Sequence, residues 1–258
     1  MELRNKVVIV TGAASGIGAA LAQRFVAEGA SVVLGDVDAD GVHRVASALG
    51  EAAVGLKTDV TQEADLAALI ALAETRFGPV DVFCSNAGIG IGGGPEVSDH
   101  DWQLIWAVNV HAHVLAARLI VPKMIEAGGG YLMNTASAAG LLSQIGSAPY
   151  AVTKHAAVAF AEWLSITYGA QGLKVSVLCP QAVNTPMIAG TDTGGVAGVD
   201  GVLEPAAVAH SVIEAMTDER FLILPHPVVL DYLQGKAANY DRWLAGMRRL
   251  ASRFSSPF

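Results

Sequence analysis

The chain has 258 residues, 52% of them apolar and 16% charged against the ~25% of ordinary soluble proteins, so it can bury a full core and reads as one domain rather than two. Lys and Arg number 16 against 24 Asp and Glu, a formal charge of −8, and the basic residues cluster only at Arg248, Arg249 and Arg253, which argues against tracking a nucleic-acid backbone. Mean hydropathy is +0.44, yet no stretch approaches the ~18 uninterrupted apolar residues of a spanning helix, and the Gly and Pro are too scattered for a low-complexity chain.

Short β-branched runs recur along the chain at 6–10, 31–34, 53–56, 80–84, 131–134, 174–179 and 221–224, with helical stretches between them. The first run stops at Thr11-Gly12, too short for the apolar core of a signal peptide, and this predicts a cytoplasmic protein. Between the third and fourth runs, Leu66, Leu69, Ile70, Ala73 and Phe77 fall on one helical face, opened by Thr61 and closed by Gly78-Pro79. A further helix opens at Ser98, with Asp101 as its capping partner, and is kinked or ended near Pro122; another runs from Pro149 towards Gly169. Residues 190–201, GTDTGGVAGVDG, read as a mobile loop within a substrate segment spanning 185–203, and 231–253 reads as a C-terminal helix carrying Tyr240, Trp243, Leu244, Met247 and Leu250. Strands alternating with helices predict βαβ units: a doubly wound, seven-stranded parallel sheet with helices on both faces, Rossmann-like, in a single domain.

Residues 11–18, TGAASGIG, place Gly12, Gly16 and Gly18 after the first strand and at the start of a helix. A pyrophosphate site needs a tight turn, a backbone without Cβ atoms where the anion approaches, and helix N–H groups aimed at it. An ordinary βα turn has the same composition. Asp36 ends the second strand near the ~20-residue offset at which a carboxylate accepts hydrogen bonds from an adenosine ribose, and it would repel a 2′-phosphate; this favours NAD over NADP. With Asp38 and Asp40 beside it, Asp36 could equally be a solvated turn residue.

Tyr150 and Lys154 stand at i and i+4, on one helical face, where an ammonium would lower a phenol's ordinary pKa of ~10 towards catalytic use. An isolated pair of this kind is more often a surface pair, but Ser137 follows the fifth strand, where open sheets place ligand sites. Ser137 lies outside any Gly-x-Ser-x-Gly elbow, so oxyanion stabilisation suits it better than nucleophilic attack. Cys84 and Cys179 read as buried thiols, and His43, His100, His111, His113, His155, His210 and His226 lack ligand spacing, so no metal site is predicted.

These residues, with Asn86-Ala87-Gly88 and Asn109 in order between them, resemble the short-chain dehydrogenase/reductase family in its single-domain, NAD(P)-dependent form. The resemblance implies that Tyr150 is the acid/base, that Lys154 holds the nicotinamide ribose and lowers the tyrosine pKa, that Ser137 steadies the reacting oxygen, and that Asn109 supports a proton relay to Lys154. It implies that Gly12, Ser15, Gly16, Ile17 and Gly18 line the cofactor phosphates and ribose, that Asp36 holds the adenosine ribose, that Asp59 and Val60 border adenine, and that Asn86 and Gly88 continue that wall. Val183 and Thr185 would meet the nicotinamide carboxamide, but Gln181 stands where the family has glycine. Its amide could face substrate, as could Gln144 and Met187; Ile91, Ala138, Leu141, Leu142, Ile145 and Ile188 suggest apolar surroundings, or simply core packing. The expected function is hydride transfer between NAD and a secondary alcohol or ketone of an apolar substrate, in a homo-oligomer, a tetramer or dimer, with no nucleic-acid or membrane partner. The alternatives are a non-catalytic dinucleotide sensor or scaffold on the same fold, and a nucleotide-sugar epimerase or dehydratase, for whose substrate domain the chain leaves little room.

Overall fold

A computed structural model of the chain describes residues 1–189 and 194–254. Val7–Thr11 (β1) is a β-branched run with every residue buried, and its side chains alternate between two cores: Val7 and Ile9 enter one, Val8 and Val10 the other. The same division separates Val33 from Val32 and Leu34 in Ser31–Asp36 (β2). Ala53–Lys57 (β3), Val82–Ser85 (β4), Gly130–Thr135 (β5), Leu173–Leu178 (β6) and Leu222–Ile223 (β7) complete a seven-stranded sheet in the order β3-β2-β1-β4-β5-β6-β7. Every pairing is parallel, as predicted for a doubly wound α/β domain. Because β1 pairs with β2 on one side and β4 on the other, the order reverses there and a crevice opens at the carboxyl ends of β1 and β4.

The helices covering the sheet are Gly16–Ala27 (α1), Ala39–Leu49 (α2), Glu63–Arg76 (α3), Asp99–Trp106 (α4), Ala112–Glu126 (α5), the short Ala139–Leu142 (α6), Ala148–Tyr168 (α7) and Pro205–Thr217 (α8). Leu66, Leu69 and Ile70 of α3, Leu115 and Ile120 of α5, and Leu164 of α7 fill one core; Leu21 and Phe25 of α1 and Val208 and Val212 of α8 fill the other. Each large side chain buried in this way contributes about 1.5–3 kcal/mol.

Three local expectations are corrected. The fourth strand is Val82–Ser85 rather than 80–84; just before it, the Asp81 carboxylate accepts the amide of Val7 at 2.9 Å and Lys6 Nζ at 2.7 Å. The helix predicted to yield near Pro122 runs through it to Glu126; burial of Ile120, Val121 and Met124 offsets the ~3 kcal/mol that an interior proline costs. The interruption falls earlier, at a π-helical turn over Ala107–His111 that joins α4 to α5. The joined run Asp99–Glu126 is long and apolar enough to cross a bilayer, but 56% of its apolar window is buried within the protein, as befits a core helix.

The C-terminal stretch is two helices, Val228–Ala238 (α9) and Tyr240–Phe254 (α10), where a single one over 231–253 was expected. Asn239 is extended between them, and its Oδ1 accepts the backbone N–H of Arg242 at 2.9 Å, so the asparagine caps a new helix in place of continuing the old one. Lys236 of α9 reaches back to donate to the carbonyl of Leu141 at 2.6 Å and lies over the rings of Tyr240 and Trp243, which fastens the pair against α6. Of the predicted loop, residues 190–193 lie outside the described residues; the rest forms 3-10 turns at Pro186–Ile188 and Gly195–Gly198 and a bridge from Val183 to Leu203.

Candidate active site

The glycine-rich turn forms the floor of the crevice. Gly12 has φ +65°, and a Cβ there would lie 2.8 Å from the Cα of Ala87; a Cβ on Gly18 would lie 2.1 Å from the carbonyl oxygen of Gly12. Ser15 is extended and its side chain makes no cap bond, so the first amides of the twelve-residue α1 are left for something outside the helix. The Asp36 carboxylate accepts the amides of Ala14 at 2.9 Å and Asp38 at 3.0 Å, which ties the end of β2 to the turn. Asp36 is therefore a structured acceptor at the rim, and its exposed neighbour Val37 brings no positive charge.

Asn86 joins three strand ends. Its side chain donates to the carbonyl of Thr11 and accepts from the hydroxyl of Thr135, both at 3.0 Å, while its amide donates to Thr11 Oγ1 at 3.0 Å. Asp59 accepts both the amide and the hydroxyl of Thr61, at 2.9 and 2.7 Å, which turns the chain after β3 and leaves the neighbouring Val60 buried at the cavity wall.

The acid/base candidates sit at the other end. Ser147 caps α7 by accepting the amide of Tyr150 at 3.3 Å and donates to the carbonyl of Ile91, which sets the first turn carrying the phenol. Lys154 is buried; Nζ donates to the carbonyl of Thr135 at 3.1 Å and stands 5.6 Å from the centre of the Tyr150 ring. Ser137 accepts the amide of Ala139 at 3.1 Å and donates to the carbonyl of Pro180 at 3.3 Å.

One electrostatic expectation is reversed. Burial pushes the Tyr150 phenol above its ordinary pKa, with the Ser137 hydroxyl acting in the opposite direction. The Lys154 ammonium is directed at the carbonyl of Thr135 and at the ring face, and burial lowers its own pKa from 10.5 to about 8. Burial likewise pushes the free thiols of Cys84 and Cys179 up, the latter to about 12, so neither is a nucleophile at neutral pH.

Asn109 lies behind this end, fully buried in the π-helical turn. It accepts the amide of Ile89 and donates to the Ile89 carbonyl, each at 2.9 Å, and donates to Thr153 Oγ1 at 3.3 Å. A Cβ on Gly88 would meet Lys154 Nζ at 3.2 Å and Asn109 Oδ1 at 3.3 Å, so the absence of a side chain there lets the two approach. Such turns often mark functional sites because they displace one residue from helical register.

Most of these groups line one cavity of about 930 Å³, near the upper end for small-molecule sites. Gly12, Ser15, Gly16, Ile17, Gly18, Asp36, Asp59, Val60, Asn86, Gly88, Ser137, Gln144, Tyr150, Lys154, Gln181, Val183, Thr185 and Met187 all line it; Asn109 does not. Of the predicted apolar neighbours, Ile91 and Ile188 line it, whereas Ala138, Leu141, Leu142 and Ile145 do not, and Ile89 joins them unforeseen. A glycine cradle closed to Cβ atoms, free helix amides and an oriented carboxylate fit an extended dinucleotide, with Thr185 Cγ2 3.0 Å from where a Gly16 Cβ would stand.

Sequence reasoning also passed over a polar cluster beside Gln181. Its amide N–H donates to His226 Nδ1 at 3.2 Å and its side chain to Asp200 Oδ2 at 2.8 Å, while Tyr232 of α9 donates to Asp200 Oδ1 at 2.9 Å. These partners lie far apart along the chain and carry no local pattern. His113 was set aside as a metal ligand; it is buried, and burial, aided by the charge of Lys154 and opposed by contacts with Asn134 and Asn109, lowers its pKa to about 3.

The short chain dehydrogenase family profile matches residues 6–194. The chain is 40% identical over 230 residues to 1-deoxy-11-beta-hydroxypentalenate dehydrogenase of Streptomyces exfoliatus, covering 86% of this chain and 84% of that one. It is 37% identical over 191 residues to cis-4-hydroxycyclohexanecarboxylate dehydrogenase of Sinomonas cyclohexanicum, covering 72% and 76%. Among solved structures, a short chain dehydrogenase/reductase from Burkholderia phymatum in complex with NAD superposes with a TM-score of 0.85 at 30% identity, covering 100% of this chain and 99% of that one. A 3-ketoacyl-(acyl-carrier-protein) reductase from Brucella melitensis complexed with NADH does so with a TM-score of 0.79 at 30% identity, covering 86% and 96%. With the glycine turn, the seven-stranded sheet and the Ser137, Tyr150 and Lys154 constellation in place, the chain belongs to the short-chain dehydrogenase/reductase family of nicotinamide-dependent oxidoreductases.

Proposed function

We propose that this protein is an NAD-dependent dehydrogenase that oxidises a secondary alcohol carried on a largely apolar skeleton, and reduces the corresponding ketone in reverse. One observation carries the reading: Ser137, Tyr150 and Lys154 stand at one end of the cavity whose other end is lined by the glycine turn and Asp36. When bound, the nicotinamide accepts or supplies the hydride. Gly12, Gly16 and Gly18 with the α1 amides hold the phosphates, and Asp36 accepts from the adenosine ribose and disfavours a 2′-phosphate. Asp59, Val60, Asn86 and Gly88 form the wall on the adenine side, and Val183 and Thr185 border the nicotinamide.

The Ser137 hydroxyl holds the substrate oxygen, and Tyr150 takes the carbinol proton at its phenolic oxygen or returns it to the developing oxyanion. Lys154 positions the nicotinamide ribose, and Asn109 supports it from behind by fixing Ile89 and facing Nζ across Gly88. With its pKa raised, Tyr150 is a phenol at neutral pH, the form that carbonyl reduction needs. The apolar character of the substrate is supported by Ile89, Ile91, Met187 and Ile188 at the cavity wall and by relatives named for cyclic carbinols. Exposed Trp106, Val152, Trp163 and Ile166 on α4 and α7 support a homo-oligomer assembled through that face, and two free buried thiols suit the cytoplasm.

Titration with NADH and NADPH by cofactor fluorescence, followed by a panel of secondary alcohols and ketones monitored at the nicotinamide absorbance, tests the reading. NADH binding tighter than NADPH, with turnover of at least one cyclic alcohol, is expected. Binding of neither cofactor would overturn the reading, and binding without turnover across the panel would favour the sensor.

A further inference from the structure

The last helix, α10, is amphipathic without being packed into the domain. At ~100° per residue its large apolar side chains fall within an arc of ~120°, and Arg242, Arg248, Arg249 and Arg253 lie outside that arc. Every residue of the helix is nevertheless exposed or half-buried, with Tyr240 at 55%, Leu244 at 39% and Phe254 at 42%. α9 meets one flank of the stripe, where Lys236 Nζ lies 4.9 Å from the centre of the Trp243 ring and 5.5 Å from that of Tyr240. The rest is an apolar surface along a whole helix, the kind that marks an interaction site.

The order of residues in the stripe names its occupant. It reads the same in both directions from Met247: Tyr240 and Phe254 stand seven residues away, Trp243 and Ala251 four, Leu244 and Leu250 three. A contact about a two-fold axis must be self-complementary, and two helices related by such an axis perpendicular to their length run antiparallel. Turned end for end about Met247, the stripe sets an aromatic ring level with an aromatic ring and leucine level with leucine. It also sets the bulky Trp243 level with the small Ala251, the large-against-small fit that facing helix positions need. A bilayer surface, the other home of a basic amphipathic helix, has no register to match. We infer that α10 is an interface between two copies of this chain, paired antiparallel about a two-fold axis at Met247, in a contact made by different elements from the α4 and α7 face. The four arginines stay in water on the far side; against the single Asp241 they leave the helix positively charged, so apolar contact holds the pair against a like-charge repulsion that salt screens.

Sedimentation velocity of the full chain and of Leu244→Glu, with oxidative cross-linking of Met247→Cys and Tyr240→Cys, tests the assignment; Cys84 and Cys179 are buried, so the introduced thiol is the one that reacts. Leu244 is already partly in water, so Leu244→Glu should keep the far-UV dichroism of the wild type, while the wild-type particle should hold twice as many chains as the variant's. In the antiparallel pair the thiol of Met247→Cys faces its own counterpart within the ~7 Å between Cα atoms that a disulfide can span, and mild oxidation should give a covalent dimer. The thiol of Tyr240→Cys lies ~21 Å along the seam from its counterpart and should cross-link only when that variant is mixed with Phe254→Cys. Raising the salt concentration should preserve the pair or strengthen it. Equal particle mass for the wild type and Leu244→Glu, a covalent dimer from Tyr240→Cys alone as readily as from Met247→Cys, dissociation by salt, or co-sedimentation of the wild type with phosphatidylserine vesicles that Leu244→Glu abolishes would each overturn the assignment. If Leu244→Glu fails to fold, the three cysteine variants decide it. None of these readouts depends on turnover, so the interface and the dehydrogenase reading stand or fall separately.

Discussion

Replacing Lys154 by methionine should make the protein more stable and inactive at once. The lysine is 2% exposed, and burial lowers its pKa from 10.5 to about 8. Between those values the unfolded chain binds the proton and the native state has released it, so native stability rises with pH across that window; below about pH 8 both states are protonated and the native state bears the whole cost of the buried charge. At ~1.4 kcal/mol for each tenfold displacement in proton affinity, that cost is about 3 kcal/mol. Methionine removes it while filling similar space, and forfeits the 3.1 Å hydrogen bond to the carbonyl of Thr135, worth ~1 kcal/mol. The net expectation at pH 7 is about 2 kcal/mol of stabilisation, or a Tm higher by about 4–8 °C at this chain length. Urea unfolding of both proteins at pH 7, and again from pH 8 to 10.5, measures it: the wild type should gain stability across the alkaline window and the variant should gain less. Turnover should fall at least ~100-fold if Lys154 supports the acid/base group. A variant with a lower Tm than the wild type at pH 7, or an unaltered alkaline dependence, would refute the reasoning.

The opposite limb of the pH curve belongs to His113, whose pKa falls from 6.5 to about 3 on burial: its contribution is intact above pH 6.5 and is lost as pH drops towards 3, so His113→Leu should flatten the acid limb in denaturation experiments at pH 4 and 6.5. Tyr150→Phe should reduce turnover at least ~1000-fold while the Kd for NADH, followed by fluorescence, changes only a few-fold; retained turnover would remove Tyr150 from its role. Because burial raises the Tyr150 pKa, oxidation, which needs phenolate, should accelerate with rising pH, and reduction, which needs phenol, should hold its rate from neutral pH into the alkaline range; stopped assays in both directions from pH 6 to 10 check the sign. Asp36→Ala should lower the NAD-to-NADP ratio of kcat/KM about ten-fold or more, since it removes both the ribose acceptor and the repelling charge.

Much of this molecule was legible before folding because its signals are local. The alternating cores follow from Val7 to Val10 and Val32 to Leu34, where every second residue must face the same side of a strand. The glycine turn was readable because a tight turn and a close approach to a phosphate both exclude Cβ atoms, and that requirement is written at fixed spacing. Tyr150 and Lys154 sit one helical turn apart, so their shared face needed no tertiary knowledge. The capping asparagine at Asn239 was a local signal too, but one overridden by the continuous helical pattern on either side of it.

What only the tertiary structure decided was direction and company. The spacing of Tyr150 and Lys154 says that they can meet, but not that the ammonium would be spent on Thr135 and the ring face, nor that burial would raise the phenol's pKa in place of lowering it. Asn109 is separated in sequence from Ile89, Gly88 and Lys154, and the π-helical turn that brings it behind the site follows from packing between helices. Gln181 was singled out in the sequence, but its partners His226, Asp200 and Tyr232 come from three other segments. Local chemistry sets which groups a strand end or helix turn presents; desolvation and hydrogen-bond partners depend on the neighbours that folding brings together, and these determine how the same groups act.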